Sequence, residues 1–396
     1  MKQKSFIINI VSLAMAASVI ICSCKPSIEG PPPPPPPTAA PPDQPATQKV
    51  NIFTKSTEGY SCFRIPAIVK TKTGTLLAFA EARKNSCADN GDIDLVVKRS
   101  TDNGVTWGKT IKVWDDGTNT CGNPVPIVDQ STGDIILVMS WNRGSDDIGA
   151  INNGTGVPRR VYVTRSSDDG VTWATPTNVS ATTTKPEWGW ISTGPCHGIQ
   201  LTKGTNAGRL VVPSCFIEAN KDATKRKQSA YMIYSDDHGA TWQMGNVADP
   251  GAFTPNESTV VELSDGKLLL NSRCSGKSFR VSSLSADGGV TWATVQGEYA
   301  LVDPVSQGSL LGANYNNNYL LFFSNDASTT RVNMSISTSK DNGKTWAKRF
   351  VVNTGQSAYS DIAIVSDTLI GITYETGQVN PYELIRFESY SLNYFK

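Results

Sequence analysis

The residues that could carry chemistry in this chain are mainly carboxylates, arginines and tyrosines. Only two histidines, His197 and His238, occur among 396 residues. Such a small number argues against a His-rich metal centre, since zinc and related metals are usually held by several His and Cys ligands. A Ser-His-Asp hydrolase would have to depend on one of these two residues. We therefore expect chemistry based on Asp, Glu, Arg and Tyr, with no metal and no cofactor.

An eight-residue pattern, S-x-D-x-G-x-T-W, occurs five times, and each copy follows a strand-like segment. Its Ser and Asp side chains can bond to their own turn backbone, Gly permits a positive φ, and Trp can pack back onto its own sheet. An active site is a single constellation, whereas this Asp recurs in every copy. The pattern therefore predicts structural turns, including the turn that holds His238. The copies span 100–107, 166–173, 235–242, 285–292 and 339–346.

Overall composition excludes two classes of protein. Lys and Arg number 36 against 35 Asp and Glu, so there is no basic excess for binding nucleic acid. Hydrophobic residues make up 39%, which is too many for a wholly disordered chain. We expect a folded, monomeric protein that does not bind nucleic acid.

Six cysteines follow residue 48, and six cysteines allow 15 disulfide connectivities. No C-x-x-C pair is present to suggest zinc or thioredoxin-like chemistry. A domain of this size does not need disulfides for stability, so buried free thiols are expected for most of them. They are Cys62, Cys87, Cys121, Cys196, Cys215 and Cys274.

The elements that must position the chemistry are short β-strands. Beyond residue 48, almost every apolar segment is short and bounded by Gly, Asn, Asp or Pro, and no amphipathic helix of twelve residues is found. The repeated tryptophans lie 50 to 69 residues apart. A unit of about 60 residues fits a four-stranded blade and occurs close to six times. The predicted fold for residues 49–396 is all-β, a six-bladed β-propeller of four-stranded antiparallel blades with five of these turns.

The N-terminal segment predicts export. Residues 1–23 have the charge and apolar run of a signal peptide, and Ile21-Cys-Ser-Cys24 resembles a bacterial lipobox with Cys24 as the lipid-bearing residue. An ordinary cleaved signal is the alternative. Residues 24–48 include seven consecutive prolines, Pro31 to Pro37, and predict an extended spacer. These features predict a bacterial lipoprotein anchored to the membrane at the outer membrane or cell surface.

The motif Phe63-Arg-Ile-Pro66, together with the repeated turns (Asp boxes), resembles the bacterial and animal sialidases over nearly all of residues 50–396. The resemblance implies a six-bladed propeller and exo-α-sialidase activity. It also implies that three arginines grip the substrate carboxylate, matched here by Arg64, Arg273 and Arg331. Guanidinium groups suit this task because they bind carboxylates bidentately and stay charged. Arg83 resembles a further arginine that contacts the 4-position of the sugar.

By the same resemblance, Tyr359 is the nucleophile and Glu257 its base. The anomeric carbon of sialic acid already bears a carboxylate, so a neutral phenol avoids the repulsion that a carboxylate nucleophile would meet. A phenol with a pKa near 10 needs a nearby base to accept its proton. Glu262 competes for this role, but it ends a strand beside a Ser-Asp-Gly turn, so Glu257 is preferred.

The resemblance places the acid/base in the segment after Arg83, where Asp89 fits. Asp92 and Asp94 are alternatives, but they alternate with apolar residues along a predicted strand. Asp89 precedes that strand, in a loop where a catalytic group is more often found.

The segment Gly194–Leu201, with Trp188 and Trp190 nearby, resembles the central loop that borders the acetamido and glycerol groups of the substrate. His197 lies in it as a possible ligand contact, although a His in a Gly-Pro turn is more often structural. Cys196 replaces a residue that is usually Gly in the family.

The function implied by these residues is a retaining exo-α-sialidase acting on sialylated glycans. A trans-sialidase with the same residues and a non-catalytic sialic-acid-binding propeller are the two alternatives.

Overall fold

The computed structural model describes residues 45–395, without the side chains of Lys348 and Arg349. The predicted signal segment, Cys24 and the proline run lie outside the described residues. The chain enters the fold at β1, which begins at Gln48.

Twenty-four strands and a few short helical turns make up the described residues, so the predicted all-β class is confirmed. The strands are β1 Gln48–Thr54, β2 Cys62–Lys70, β3 Leu76–Arg83, β4 Ile93–Ser100, β5 Ile111–Trp114, β6 Thr120–Val128, β7 Ile135–Asn142, β8 Arg160–Ser166, β9 Thr177–Asn178, β10 Trp188–Thr193, β11 Ile199–Gln200, β12 Leu210–Glu218, β13 Gln228–Ser235, β14 Gln243–Met244, β15 Pro255–Glu262, β16 Leu268–Cys274, β17 Phe279–Ser285, β18 Gln296–Val302, β19 Ser309–Tyr315, β20 Asn318–Asp326, β21 Val332–Ser339, β22 Lys348–Ser366, β23 Leu369–Thr376 and β24 Leu384–Ser391. The helices are α1 Ile148–Asn152 and α2 Ser180–Thr183, with 3₁₀ turns at Gly204–Asn206, Ala223–Lys225 and Leu392–Phe395.

The strands form four sheets, in which neighbours along the chain pair antiparallel almost throughout. One sheet runs β2-β3-β4-β6-β7-β8-β9 with β5 on β4, and another runs β10-β12-β13-β14 with β11 on β12. A third runs β15-β16-β17-β18, and the last runs β1-β24-β23-β22-β21-β20-β19. The N-terminal strand β1 thus pairs with the C-terminal strand β24.

All five repeated turns have the same hydrogen bonds. In each, the Ser hydroxyl donates to the Asp at 2.7 to 2.8 Å and accepts the Gly N–H at 2.8 to 2.9 Å. The Asp also accepts the Thr hydroxyl at 2.6 Å. This pattern is local and matches the predicted structural role. Trp107 also packs against Phe387 of β24, in another sheet, a contact that the prediction did not include.

The core consists of buried side chains that pack between neighbouring strands and sheets. Strands β2, β3 and β6 are buried along almost their whole length. One cluster joins Phe53, Phe63, Val365 and Phe387, which come from the two ends of the chain. Because both faces of these strands are covered, a polar side chain on them must find a partner within the protein.

The cysteines divide into one disulfide and four free thiols. Cys62 and Cys87 are bonded to each other, which sequence spacing alone did not indicate. Buried free thiols, as expected for most of the set, are found at Cys121, Cys196, Cys215 and Cys274.

Within residues 45–395, none of the helices is long and apolar enough to cross a membrane. No group of three or more His, Cys, Asp and Glu side chains in this part of the chain is arranged to hold a metal ion.

Candidate active site

A polar cavity of about 120 Å³ lies where the first halves of β2, β6, β10 and β15 and the middle of β22 meet the C-terminal ends of β3 and β16. Five of the residues predicted from the sequence line it, and two others, Arg64 and Arg331, lie against the ring of Tyr359. The lining residues are Ile65, Glu81, Arg83, Asp89, Asn123, Ile148, Arg159, Trp190, Ser192, Asn256, Glu257, Arg273 and Tyr359.

Irregular pairing turns these residues toward the cavity. The register shifts after Arg64 in β2, after Gly122 in β6, after Pro255 in β15 and after Ser357 in β22. A β-bulge re-aims side chains and often lies beside an active site. Each of these four strands therefore leaves regular pairing at the point where it supplies a cavity residue.

Buried glutamates hold two of the bulges. Ile65 has a φ of 58°, which is unfavourable for a β-branched residue, and its N–H donates to Glu375 Oε1 at 2.9 Å. Asn123 has a φ of 52°, and its N–H donates to Glu81 Oε1 at 2.8 Å. Residues held in such conformations persist when the surrounding structure fixes them, often at functional sites.

Tyr359, Glu257 and Arg273 form the centre of the site. The Tyr359 hydroxyl donates to Glu257 Oε2 at 2.5 Å. Arg273 Nη1 donates to the same carboxylate oxygen at 2.8 Å and to the Tyr359 hydroxyl at 2.9 Å. Tyr359 is 6% exposed and Glu257 is 7% exposed. The arrangement places a base within hydrogen-bonding distance of a buried phenol.

Electrostatics keep this phenol protonated at rest. Burial raises the pKa of Tyr359, and the negative charge of Glu257 raises it further, against the opposing effect of Arg273 and the other two arginines. A phenol with a raised pKa becomes a nucleophile when a neighbouring base takes its proton as the new bond forms. Glu257 is in position to do so.

The other two predicted arginines flank the ring of Tyr359. The guanidinium carbons of Arg64 and Arg331 lie 5.3 and 5.4 Å from its centroid. Arg64 forms a bidentate pair with the fully buried Glu375, with Nε–Oε1 at 3.0 Å and Nη2–Oε2 at 3.1 Å. Arg331 Nη1 donates to the Tyr382 hydroxyl at 2.6 Å. Three guanidinium groups therefore converge on one tyrosine.

Asp89 lines the cavity from the loop of residues 84–92, and its side chain is 69% exposed. Its Oδ1 accepts from Arg83 Nη1 at 2.8 Å and from Arg64 Nη1 at 3.4 Å. Partial burial opposes ionisation, but the charges of Arg83 and Arg64 outweigh it and lower the pKa of Asp89. At neutral pH this carboxyl group is therefore ionised.

Arg83 holds the loop and has little surface of its own in the cavity. It is 2% exposed, and its Nε donates to Glu81 at 3.0 Å. Its Nη1 donates to the backbone carbonyls of Cys87 and Ala88 as well as to Asp89. Its predicted contact with the sugar stays a prediction.

The alternative carboxylates do not line the cavity. Asp94 is buried on β4, where it accepts from the Tyr60 hydroxyl at 2.6 Å. Asp92 precedes that strand and is absent from the cavity lining. Glu262 lies at the far end of β15 and accepts from the backbone N–H groups of Thr202 and Lys203. The geometry therefore favours Asp89 and Glu257 over these alternatives.

Residues 194–201, which were expected to border the substrate, do not line the cavity. Trp190 lines it, whereas Trp188 is buried and stacks on Phe216 at 4.0 Å. His197 is buried, and its Nδ1 lies 2.7 Å from Asp361 Oδ1, which favours the structural interpretation. Cys196 is buried with a φ of 149°.

His238 lies in the repeated turn of residues 235–242, with its Nδ1 2.7 Å from Asp129 Oδ2.

Two residues that build the site, one in the cavity lining and one behind Arg64, were not identified from the sequence. Arg159 is buried, with its guanidinium 3.9 Å from the Trp190 ring centroid, and it donates to Asn123 Oδ1 at 3.0 Å. Burial lowers the pKa of Arg159 to about 10. Glu375 was missed too, although a carboxylate at the end of the apolar strand β23 is a signal of a buried partner.

Comparison with known proteins was consistent with this site. Residues 74–372 match the family model described as a BNR repeat-like domain. A sialidase of Micromonospora viridifaciens is 32% identical over 350 residues, covering 84% of this chain and 53% of that protein. An exo-alpha-sialidase of Aspergillus fumigatus is 33% identical over 377 residues, covering 85% of each. The chain thus spans about half the length of the bacterial relative.

Among solved structures, Hadza microbial sialidase Hz136 is similar, with a TM-score of 0.78 and 30% identity. The match covers 88% of this chain and 69% of that one, and it gives the chain a propeller-like fold. The match to the BNR model and the similarity to the fungal protein over most of both chains lead to one conclusion: this chain belongs to the sialidase family.

Proposed function

We propose that this protein is a retaining exo-α-sialidase, a glycoside hydrolase that releases terminal sialic acids from glycoproteins, glycolipids and oligosaccharides through a tyrosyl-glycosyl intermediate. The observation that carries the proposal is the 2.5 Å hydrogen bond from the Tyr359 hydroxyl to Glu257, surrounded by three arginines. Similarity to sialidases supports the substrate class.

The carboxylate of the substrate accounts for the arginines. Arg64, Arg273 and Arg331 all lie against Tyr359, so an anion that binds them brings its neighbouring anomeric carbon close to the phenol oxygen. Holding the reacting atoms together in this way can supply several kcal/mol of the barrier reduction. The ion pair with Glu375 fixes the Arg64 side chain in advance.

In the first step, the Tyr359 oxygen attacks the anomeric carbon and its proton passes to Glu257. The glycosidic C–O bond breaks, and Asp89 gives its proton to the departing oxygen. The substrate carboxylate offsets part of the charge of Arg64, which weakens the attraction that keeps Asp89 ionised in the free protein. Asp89 therefore takes up a proton from the solvent as the substrate binds, and this is the proton that it gives to the departing oxygen.

In the second step, water replaces the tyrosine. Asp89, now ionised, accepts a proton from the water as its oxygen attacks the anomeric carbon. The bond to Tyr359 breaks, and the phenolate recovers its proton from Glu257. Two displacements at one carbon return the original anomeric configuration.

The fold proposed to carry this site has six blades of four antiparallel strands. Strands β4 and β6 share one parallel pair, Ile93 with Thr120, which supports a blade boundary there. Strand β22 pairs with β21 through its first half and with β23 through its second half, which supports another. Pairing of β1 with β24 would complete the sixth blade and close the ring.

The proposed location is an exported, lipid-anchored one, with Cys24 as the anchor and residues 24–48 as the spacer. The Cys62–Cys87 disulfide supports export, because disulfides persist mainly in oxidising compartments.

The proposal is tested by hydrolysis of a fluorogenic α-sialoside by the purified protein, with 2-deoxy-2,3-didehydro sialic acid as a competitor. Inhibitable release, with the α-anomer of free sialic acid appearing first in an NMR time course, is the expected result. Sialyl transfer to added lactose in place of hydrolysis would indicate a trans-sialidase. Saturable binding of the competitor without release would indicate a non-catalytic binding propeller.

A further inference from the structure

The loop of residues 84–92 carries the proposed acid, but the carboxylate itself is weakly held. Both ion pairs of Asp89 use one oxygen, Oδ1, and the longer of them, to Arg64, spans 3.4 Å. The side chain is 69% exposed. Its distance from a departing oxygen therefore depends on where the loop backbone is held, and small displacements of a catalytic group are costly.

The Cys62–Cys87 disulfide ties this loop to β2 at a position close to two functional residues. Cys62 lies two positions before Arg64, and Cys87 lies two positions before Asp89. The bond brings the two cysteine Cα atoms to 5.3 Å. Cys62 is fully buried and pairs with Arg83 in the β2–β3 register. A short covalent path thus joins the backbone of the acid to that of a carboxylate-binding arginine.

Arg83 depends on the same segment. Its Nη1 donates to the carbonyls of Cys87 and Ala88 at 2.5 and 2.9 Å and to Asp89 Oδ1 at 2.8 Å. These three acceptors surround one nitrogen when residues 87–89 curl around it, and the disulfide holds Cys87 in that place. Beyond Asp89, the Gly91 N–H donates to a threonine hydroxyl of β6 at 3.1 Å. Asp89 therefore lies between a covalent anchor and a hydrogen-bonded one.

We propose that the Cys62–Cys87 disulfide positions the Asp89 carboxyl group for proton transfer, so that turnover of substrates with poor leaving groups depends on the disulfide. The inference rests on the proposed sialidase function. Reduction by a dithiol transfers two electrons and two protons to the pair, giving two protein thiols and the cyclic disulfide of the reagent. The released loop gains conformational freedom, and the geometry in which Asp89 reaches the leaving oxygen becomes less populated.

The leaving group distinguishes positioning of the acid from a general loss of structure. The 4-methylumbelliferyl group departs as a stabilised phenolate and needs little protonation. The galactose oxygen of α2,3-sialyllactose is a poor leaving group and needs a proton from the acid as the bond breaks. A displaced Asp89 therefore slows the second substrate far more than the first.

The experiment compares kcat/KM for these two substrates in the full chain. In Cys87→Ala, we expect kcat/KM for sialyllactose to fall by about tenfold or more, with a change within about threefold for the aryl sialoside. Asp89→Asn provides the reference for complete loss of the acid. Asn85→Ala, an exposed change in the same loop that leaves the disulfide intact, should keep the wild-type ratio.

Wild-type protein treated with dithiothreitol, its free thiols counted by mass spectrometry, gives an independent measurement in case the variant fails to fold. It should show the same selective loss, reversed by reoxidation. Equal losses for both substrates, or an unchanged ratio in the reduced protein, would overturn the positioning role. Failure of untreated wild type to hydrolyse either substrate would instead overturn the proposed function.

Discussion

The repeated turns and the cavity are built on opposite principles. In each turn, a Ser, an Asp, a Gly and a Thr within seven residues complete one another's hydrogen bonds, as in Ser285, Asp287, Gly289 and Thr291. In the cavity, partners come from distant parts of the chain: Arg64 pairs with Glu375, 311 positions away. The turns satisfy their polar groups locally, whereas the cavity does so through the assembled fold.

This difference separates stability from chemistry. The five turns have the same structural role, so a substitution that breaks one turn costs a few hydrogen bonds. Each cavity strand contributes a different side chain, and a change there removes a function that nothing else supplies. Substitutions at the two regions should therefore differ in kind, with turnover affected at the cavity and stability alone affected at the turns.

The largest effect is expected for Tyr359→Phe, which removes the proposed nucleophile and keeps its ring. The arginines remain, so binding of the didehydro competitor should persist within about threefold, while kcat falls by about a thousandfold or more. Stopped assays and calorimetric binding on the same preparation measure both. Activity close to that of wild type would remove Tyr359 from the mechanism.

Glu375→Gln should come next, because it leaves Arg64 buried without its carboxylate partner. Breaking a buried ion pair costs about 3–5 kcal/mol of stability, and the displaced arginine should also lower kcat/KM about tenfold. Glu388→Gln is the matched control. Glu388 is equally buried and accepts from the Tyr374 hydroxyl at 2.8 Å, but its ion pairs are with Lys49 and Arg386 rather than with an arginine beside Tyr359. Equal losses of kcat/KM in both variants would show that Glu375 has no special role in binding.

Ser285→Ala breaks one repeated turn by removing the acceptor of the Gly289 N–H. We expect the free energy of unfolding to fall by about 1–2 kcal/mol, with kcat/KM unchanged. Urea denaturation and the fluorogenic assay measure the two quantities. A loss of activity as large as that of Glu375→Gln would contradict the division between the two regions.

The smallest effect concerns acid stability. Hydrogen bonds from the Thr172 hydroxyl and backbone lower the pKa of Asp168 to about 2. In the unfolded chain, an Asp side chain has a pKa near 3.9. The stabilisation of the fold by ionised Asp168 is therefore present above that pH and is lost as the pH falls towards 2. Asp168→Asn should therefore show a shallower decline of the urea midpoint between pH 4 and pH 2. An unchanged slope would show that this turn does not contribute through its charge.

The sequence was most informative where the structure is local. The five turns could be predicted because each is complete within eight residues. The all-β class followed from the spacing of the turns and from the short apolar segments between them. Trp107 was harder, because its partner Phe387 lies in a sheet formed by the other end of the chain. No local pattern states which sheets will be neighbours.

The cavity was accessible from the sequence mainly through resemblance to sialidases. Tyr359, Glu257 and Arg273 were named in that way, and the structure brings them together. Arg159 was missed because nothing in the sequence around a single arginine indicates which aromatic ring it will contact. The Cys62–Cys87 disulfide was missed because six cysteines permit many pairings. These features depend on bulges and long-range contacts that arise only when the strands assemble.

The most direct test of the account is to identify the residue that carries the sugar during turnover. The protein is treated with a 3-fluoro sialosyl fluoride, quenched with acid, digested and mapped by mass spectrometry, with Tyr359→Phe as the control. The account predicts one sialyl adduct on Tyr359 and none in the variant. An adduct on Glu257, or turnover that is blocked with no covalent adduct, would contradict it.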